Sequence, residues 1–184
     1  MKGIIFTEFL DTVDETFGEA TTDNVVSRCP FSHGGAFTSV GSYDPEDLHT
    51  MVEALSSETS VSPEDLQRVF GRRLFSRFND LYPEMMARCD GPFDLLAAIE
   101  DEIHVDVRKL YPDAELPSIL PLRRGESSLI LRYRSPRRLE WFCYGLIEGC
   151  LHFYENKGTV SMTEGQDGDG VYHDFLVVLE RGLV

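Results

Sequence analysis

Residues 118–134, SILPLRRGESSLILRYR, mark the point where the sequence changes from helical to strand-like character. The patterns over 118–122 and 127–134 predict two strands, joined by a turn over 123–126 that contains Gly125. A helix over about 136–155 follows, and then a second hairpin formed by 159–164 and 171–180. The last third of the chain is therefore expected to contain a small antiparallel sheet and one helix.

The residues before this segment predict helices. Apolar side chains recur at helical spacing over 2–17 and over 92–111, and a short helix is expected over 22–29. Two more helices are predicted to begin at Asp44-Pro45 and Ser62-Pro63, where a capping side chain precedes proline. Helices followed by an antiparallel sheet define the α+β class. A chain of 184 residues is expected to form a single domain, residues 1–184.

The composition excludes some partners. The chain has 32 acidic and 17 basic side chains, a formal net charge of −15. Nucleic acids and anionic membranes require clustered lysine and arginine, so neither is an expected partner. The N-terminus does not resemble a signal peptide, and no apolar run is long enough to span a bilayer. With four scattered cysteines and no C-x-x-C, we expect reduced thiols and a cytoplasmic location.

Two features of the sequence carry chemistry. His104 lies late in the predicted 92–111 helix, where on its own it reads as a partly buried core histidine. Tyr133, Ser135 and Arg137 alternate at the end of a strand, so their side chains point the same way and suit a ligand with two carboxylates. Ser135 is also expected to cap the next helix, with Pro136 at its first position. A neutral imidazole and a dicarboxylate clamp are together the two anchors that haem needs.

These residues belong to a wider pattern. The chain resembles the H-NOX (haem nitric oxide/oxygen binding) family, which is related to the haem domain of soluble guanylate cyclase. The resemblance covers nearly the whole chain. It implies a helical N-terminal part packed on a small antiparallel sheet with a further helix, and haem buried between them. The matching segments are Met1-Lys2-Gly3, Gly71-Arg72-Arg73 leading to Phe78, Ile103-His104, Leu116-Pro117, Tyr133-x-Ser135-x-Arg137 and Gly145-Leu146-Ile147-Glu148-Gly149.

The resemblance also implies a role for each site residue. His104 would bind the iron of haem b (ferrous iron protoporphyrin IX), and Tyr133, Ser135 and Arg137 would bind its propionates. Pro117 would press on the haem and keep it bent. Six apolar residues would line the distal side, where the gas binds: Ile5, Phe9, Leu74, Phe78, Phe142 and Leu146.

This apolar distal side predicts which gas is held. Some relatives carry a tyrosine where Phe142 stands, and they bind oxygen stably. Oxygen on ferrous iron gains from a hydrogen-bond donor, whereas nitric oxide and carbon monoxide need little such help. The lack of a donor penalises oxygen by about 1.5–3 kcal/mol, or about one to two decades of affinity. Tyr144 is two positions along the helix from Phe142 and is expected to point away from the pocket.

The predicted function is therefore nitric oxide sensing by a bacterial haem protein that is not an enzyme. Nitric oxide would weaken the bond between iron and His104, and the resulting conformational change would regulate a separate signalling protein. By resemblance, this partner is a histidine kinase of a two-component system, or a diguanylate cyclase or phosphodiesterase of cyclic-di-GMP metabolism. The acidic surface would meet a basic face on such a partner.

Other readings remain open at this stage. A zinc or thiol redox sensor would use Cys143 and Cys150, seven residues apart on one helix, with His152 and His173 nearby. The run Asp167-Gly168-Asp169-Gly170 could suggest calcium, although a hairpin turn explains it better. His33 could suggest a hydrolase, but no catalytic motif supports it. A haem-based gas scavenger is a further alternative.

Overall fold

The computed structural model describes residues 1–180. They divide into two compact units, the first covering Met1–Phe70 and the second beginning at Gly71. The expected organisation as one domain over 1–184 stays a prediction. Within residues 1–180, no helix has both the length and the apolar character needed to cross a membrane.

The first unit is helical. It contains α1 (Gly3–Phe17), α2 (Glu19–Arg28), α3 (Pro45–Thr59) and the first part of α4 (Pro63–Leu81). Both predicted caps are present. The Asp44 carboxylate accepts from the backbone N–H of Glu46 at 3.0 Å, and the Ser62 hydroxyl accepts from that of Asp65 at 3.1 Å. Helix α2 begins three residues earlier than expected, directly after Gly18, whose φ is +88°.

The loop between α2 and α3 closes over the start of α1. A Cβ on Gly3 would lie 1.9 Å from the carbonyl oxygen of Thr38, so only glycine fits there. His33 lies in this loop, stacked on Phe31 with ring centroids 5.3 Å apart, and its Nε2 is 3.2 Å from Asp47 Oδ2. His33 is thus part of an aromatic cluster with an acidic neighbour.

The second unit begins with short helices. After α4 come α5 (Pro83–Met86), α6 (Pro92–Ala97), a π-helical turn (Ile99–Ile103) and α7 (His104–Leu110). The prediction of one continuous helix over 92–111 was therefore wrong. The N–H of Ile103 donates to Ala98 and that of His104 to Ile99, which are i→i−5 bonds that interrupt the α-helix.

The strands of the second unit form the predicted antiparallel sheet. They are β1 (Ser118–Arg124), β2 (Ser128–Arg134), β3 (Gly158–Asp167) and β4 (Gly170–Leu179), in the order β1-β2-β4-β3. One face of the sheet packs against α8 (Glu140–Phe153) and α6 to form the core. The largest fully buried side chains on this face are Leu129, Leu131 and Phe175. The α+β class predicted from the sequence is confirmed.

Helix α8 begins later than predicted. The helix begins at Glu140 rather than at Pro136, and the Ser135 hydroxyl accepts from the N–H of Arg137 at 3.1 Å within a turn. Arg138 has a φ of +49°, which no α-helix accommodates. The prediction that Ser135 caps this helix was wrong, so no helix N-terminus directly adjoins Ser135.

The last hairpin is longer than predicted, because its strands extend to Asp167 and Gly170. The connecting turn is stabilised by the carboxylate of Asp167, which accepts from the backbone N–H of Asp169 at 3.0 Å. The same carboxylate pairs with Arg134. These contacts are those of a hairpin turn.

Candidate functional site

His104 occupies the first position of α7 and is 7% exposed. Its Nδ1 lies 3.2 Å from Oε2 of Glu100, one residue into the preceding π-helical turn. Because an ionised carboxylate only accepts hydrogen bonds, Nδ1 carries the proton and Nε2 keeps its lone pair. Burial lowers the pKa of His104 below its usual value, although Glu100 opposes the effect. The structure thus presents a neutral imidazole with Nε2 suited to a metal.

Glu100 connects this histidine to the sheet. Its Oε2 also accepts from the backbone N–H of Ile119 in β1, at 3.0 Å. Ile119 is the antiparallel partner of Tyr133 in β2. The structure therefore joins the histidine to the strand that carries the predicted carboxylate clamp.

The residues of the predicted clamp lie together. Tyr133 is buried and stands two residues before Ser135, whose hydroxyl accepts from the N–H of Arg137. Burial raises the pKa of Tyr133, so its phenol stays protonated and able to donate at neutral pH. Tyr133, Ser135 and Arg137 therefore lie close together, as the alternation at the end of the strand predicted.

The guanidinium of Arg137 already binds a carboxylate. It donates to the backbone carbonyl of Glu115 at 2.6 Å and to the side-chain carboxylate of Glu115 at 2.7 Å. The Arg137 side chain is 12% exposed and that of Glu115 is 85% exposed, so the pair lies at the edge of the buried region. The guanidinium thus donates to two different oxygens of Glu115, and a propionate would require the same charge-assisted donors. The predicted loop residue Pro117 lies two positions beyond Glu115 and directly before β1, half-buried.

The donor set therefore fits haem. A neutral histidine offers Nε2 to iron, and an arginine with adjacent hydroxyls offers donors to carboxylates. Two residues of this arrangement, Glu100 and Glu115, belong to no motif recognised in the sequence. The contact between Glu100 and His104 could have been predicted, because helical side chains four residues apart lie next to each other.

Four of the six predicted distal residues lie in the second unit. Leu74 and Phe78 belong to α4, and Phe142 and Leu146 belong to α8. The two helices approach closely at Gly71, where a Cβ would lie 2.3 Å from the carbonyl oxygen of Phe142 and 2.8 Å from the backbone nitrogen of Leu146. Glycine at this position thus brings the backbone of α4 against the turn of α8 that carries both apolar side chains.

The other two, Ile5 and Phe9, lie on α1 of the first unit, where Phe9 is buried. Tyr144 donates its hydroxyl proton to the backbone carbonyl of Val160 in β3. Its polar end is therefore engaged with the sheet, and that Tyr144 points away from the distal pocket stays a prediction.

The cysteines considered for zinc are buried. Burial raises the pKa of Cys143 to about 12 and also raises that of Cys150, which disfavours the thiolate form that zinc requires. His173 lies 3.4 Å from Glu164, and His152 is exposed. Across residues 1–180, no group of three or more His, Cys, Asp or Glu side chains is arranged to hold a metal ion.

Comparison with known proteins identifies relatives along the whole chain. A model of the family described as Haem-NO-binding matches residues 2–162. The crystal structure of the unliganded Fe(II) H-NOX protein from K. algicida superposes with a TM-score of 0.93 at 34% identity, covering 100% of this chain and 99% of that one. An H-NOX protein from S. oneidensis in the Fe(II)NO ligation state gives 0.89 at 25% identity, covering 98% and 100%.

One curated relative is much longer. Soluble guanylate cyclase 89Db of Drosophila melanogaster is 26% identical over 171 residues, which are 91% of this chain and 25% of that protein. The chain thus spans about a quarter of the length of that relative.

The family match over residues 2–162 and the shared α+β scaffold define a haem-based gas-sensor domain. Domains of this class bind gaseous ligands such as nitric oxide and carbon monoxide, and they are not themselves catalytic. The chain belongs to the haem-NO-binding (H-NOX) family.

Proposed function

We propose that the chain is a bacterial nitric oxide sensor that holds ferrous haem b through His104. The main support is the arrangement of His104, which is buried, neutral and oriented by Glu100 so that Nε2 is available. Tyr133, Ser135 and Arg137 would hold the propionates, and Pro117 would contact the porphyrin. Support for the clamp comes from Arg137, whose guanidinium binds the carboxylate and carbonyl of Glu115.

Haem would supply the iron atom that binds nitric oxide or carbon monoxide, and binding of nitric oxide would weaken the hold of His104 on that iron. The chain's own contribution is to position His104 and to exclude polar groups from the opposite side. The predicted distal residues of the second unit, Leu74, Phe78, Phe142 and Leu146, carry no side-chain hydrogen-bond donor. We infer that such a lining selects nitric oxide and carbon monoxide over oxygen by about 1.5–3 kcal/mol.

The signal would pass to a separate protein. Detachment of His104 would free α7 to take up a second arrangement, which is the two-state element that signalling requires. We propose a histidine kinase or a cyclic-di-GMP enzyme as the partner, acting in the cytoplasm. The net charge of −15 favours a basic docking face on that partner.

Absorption spectroscopy of the purified protein tests this proposal. We expect a bound haem whose reduced form changes its spectrum under carbon monoxide and nitric oxide but not under air. His104→Gly should lose the iron–histidine bond and regain it with added imidazole, whereas the exposed His152→Gly should match the wild type. A stable complex in air would contradict the ligand selectivity. A colourless protein that takes up no haem would contradict the whole proposal.

A further inference from the structure

The carboxylate of Glu100 lies beside His104 and contacts several donors at once. A single oxygen, Oε2, lies 3.2 Å from Nδ1 of His104 and 3.0 Å from the backbone nitrogen of Ile119. The other oxygen, Oε1, lies 3.9 Å from the guanidinium of Arg108. The Glu100 side chain is 24% exposed, so this carboxylate is shielded from most of the solvent but is surrounded by donors.

We propose that Glu100 is the positioning residue for His104, and that its hydrogen bond sets how readily nitric oxide detaches the histidine. This inference rests on the proposed role of His104 as the iron ligand. Glu100 would thus influence the response to nitric oxide through His104, without contacting the iron or the gas itself.

The first effect of Glu100 is on the tautomer of His104. A carboxylate accepts but does not donate, so it holds the proton on Nδ1 and leaves the Nε2 lone pair for iron. The bond also fixes the rotation of the ring. A negatively charged acceptor on the far side of an imidazole makes Nε2 a stronger donor, and loss of such a partner typically changes affinity or activity about 10- to 100-fold.

The second effect is mechanical. Because Oε2 also holds the N–H of Ile119, the ring of His104 is tied to β1 through a single carboxylate. Ile119 pairs with Tyr133, which belongs to the predicted propionate clamp. The position of His104 is therefore fixed relative to β1 and β2, the strand pair that carries Tyr133 of the predicted propionate clamp.

Neighbouring acids do not share this position. Asp101 and Glu102 lie in the same π-helical turn, but both are exposed. Within residues 1–180, the hydrogen bond recorded for His104 Nδ1 is to the carboxylate of Glu100, which accepts it. Glu102→Gln is therefore a matched control for Glu100→Gln, with the same loss of charge and the same change of atoms.

The first test uses haem-free protein, so that it does not depend on cofactor loading. Nitrogen-15 NMR of histidine should show His104 as the Nδ1–H tautomer in the wild type and in Glu102→Gln. Glutamine can either donate or accept, so Glu100→Gln should raise the population of the Nε2–H tautomer. An unchanged tautomer in Glu100→Gln would overturn the proposal.

The second test uses haem-loaded protein. In Glu100→Gln we expect a lower iron–histidine stretching frequency in resonance Raman spectra, and a roughly tenfold or greater increase in the rate at which nitric oxide detaches His104. A role confined to packing would lower the denaturation midpoint but leave both readouts equal to those of Glu102→Gln, and this result would also overturn the proposal. If the wild type shows no iron–histidine stretch that disappears in His104→Gly, the proposed function itself fails.

Discussion

Replacement of Arg137 tests the carboxylate clamp most directly. Its guanidinium makes two charge-assisted bonds, of 2.6 and 2.7 Å, from a side chain that is 12% exposed. A hydrogen bond to a charged group contributes about 1.5–3 kcal/mol. In Arg137→Gln a neutral amide can still donate one bond to a propionate, so the net loss is about one charge-assisted bond. Haem affinity should therefore fall about ten- to a hundredfold.

The rate of haem transfer to excess apomyoglobin measures this loss, since haem release limits the transfer. Arg123→Gln serves as the control, because Arg123 lies exposed in β1 and its replacement removes the same charge. Far-UV circular dichroism of both variants separates haem loss from unfolding. The clamp assignment is refuted if Arg137→Gln is folded and releases haem at the same rate as Arg123→Gln.

Three further predictions concern the distal side, helix packing and pH. Phe142→Tyr introduces a donor and should raise oxygen affinity about ten- to a hundredfold; a spectrum unchanged in air would contradict this. In Gly149→Ala the new Cβ would lie 2.7 Å from Cβ of Phe75. Overpacking of about 1–3 kcal/mol should outweigh a helix-propensity gain of about 1 kcal/mol and lower the urea midpoint; a raised midpoint would refute this. The Cys143 thiol has a pKa of about 12 when folded, against 9.0 for a free thiol. The unfolded state therefore loses its proton first, and the free energy of unfolding should fall as pH rises above 9. Cys143→Ala should reduce that fall, and an identical pH profile would count against it.

Much of the site follows from local sequence rules. Alternation along β2 places Leu129, Leu131 and Tyr133 on one buried face, because neighbouring strand side chains point to opposite sides. His104 is buried, as its place late in the apolar pattern over 92–111 indicated, although a π-helical turn interrupts that helix. These features can be predicted because the direction of a side chain follows from the local repeat of a strand or a helix, without knowledge of tertiary contacts.

Other features of the site depend on tertiary contacts, which local sequence patterns do not reveal. Residues 98–104 include neither proline nor glycine, so nothing in their sequence predicts the π-helical turn. The hydrogen bond from the N–H of Ile119 to Glu100 joins residues that are 19 positions apart, so no local sequence pattern predicts it. Similarly, Ser135-Pro136 satisfies the usual rule for a helix start, but the Ser135 hydroxyl closes a turn with Arg137 and the helix is delayed to Glu140.

A series of contacts links the two proposed anchors of the haem. His104 donates to Glu100, Glu100 accepts from Ile119, and Ile119 pairs with Tyr133. Tyr133 stands two residues before Ser135, whose hydroxyl accepts from the N–H of Arg137. Residues that belong to one network usually show interaction energies of about 0.5–3 kcal/mol, whereas independent sites add within about 0.5 kcal/mol.

A double-mutant cycle of Glu100→Gln and Arg137→Gln, measured by haem release, should therefore be non-additive by more than about 0.5 kcal/mol. The parallel cycle of Glu100→Gln with Arg123→Gln should be additive, because Arg123 lies outside the series. Additivity in both cycles would mean that the iron anchor and the carboxylate anchor act independently, and that strand pairing between β1 and β2 does not couple them.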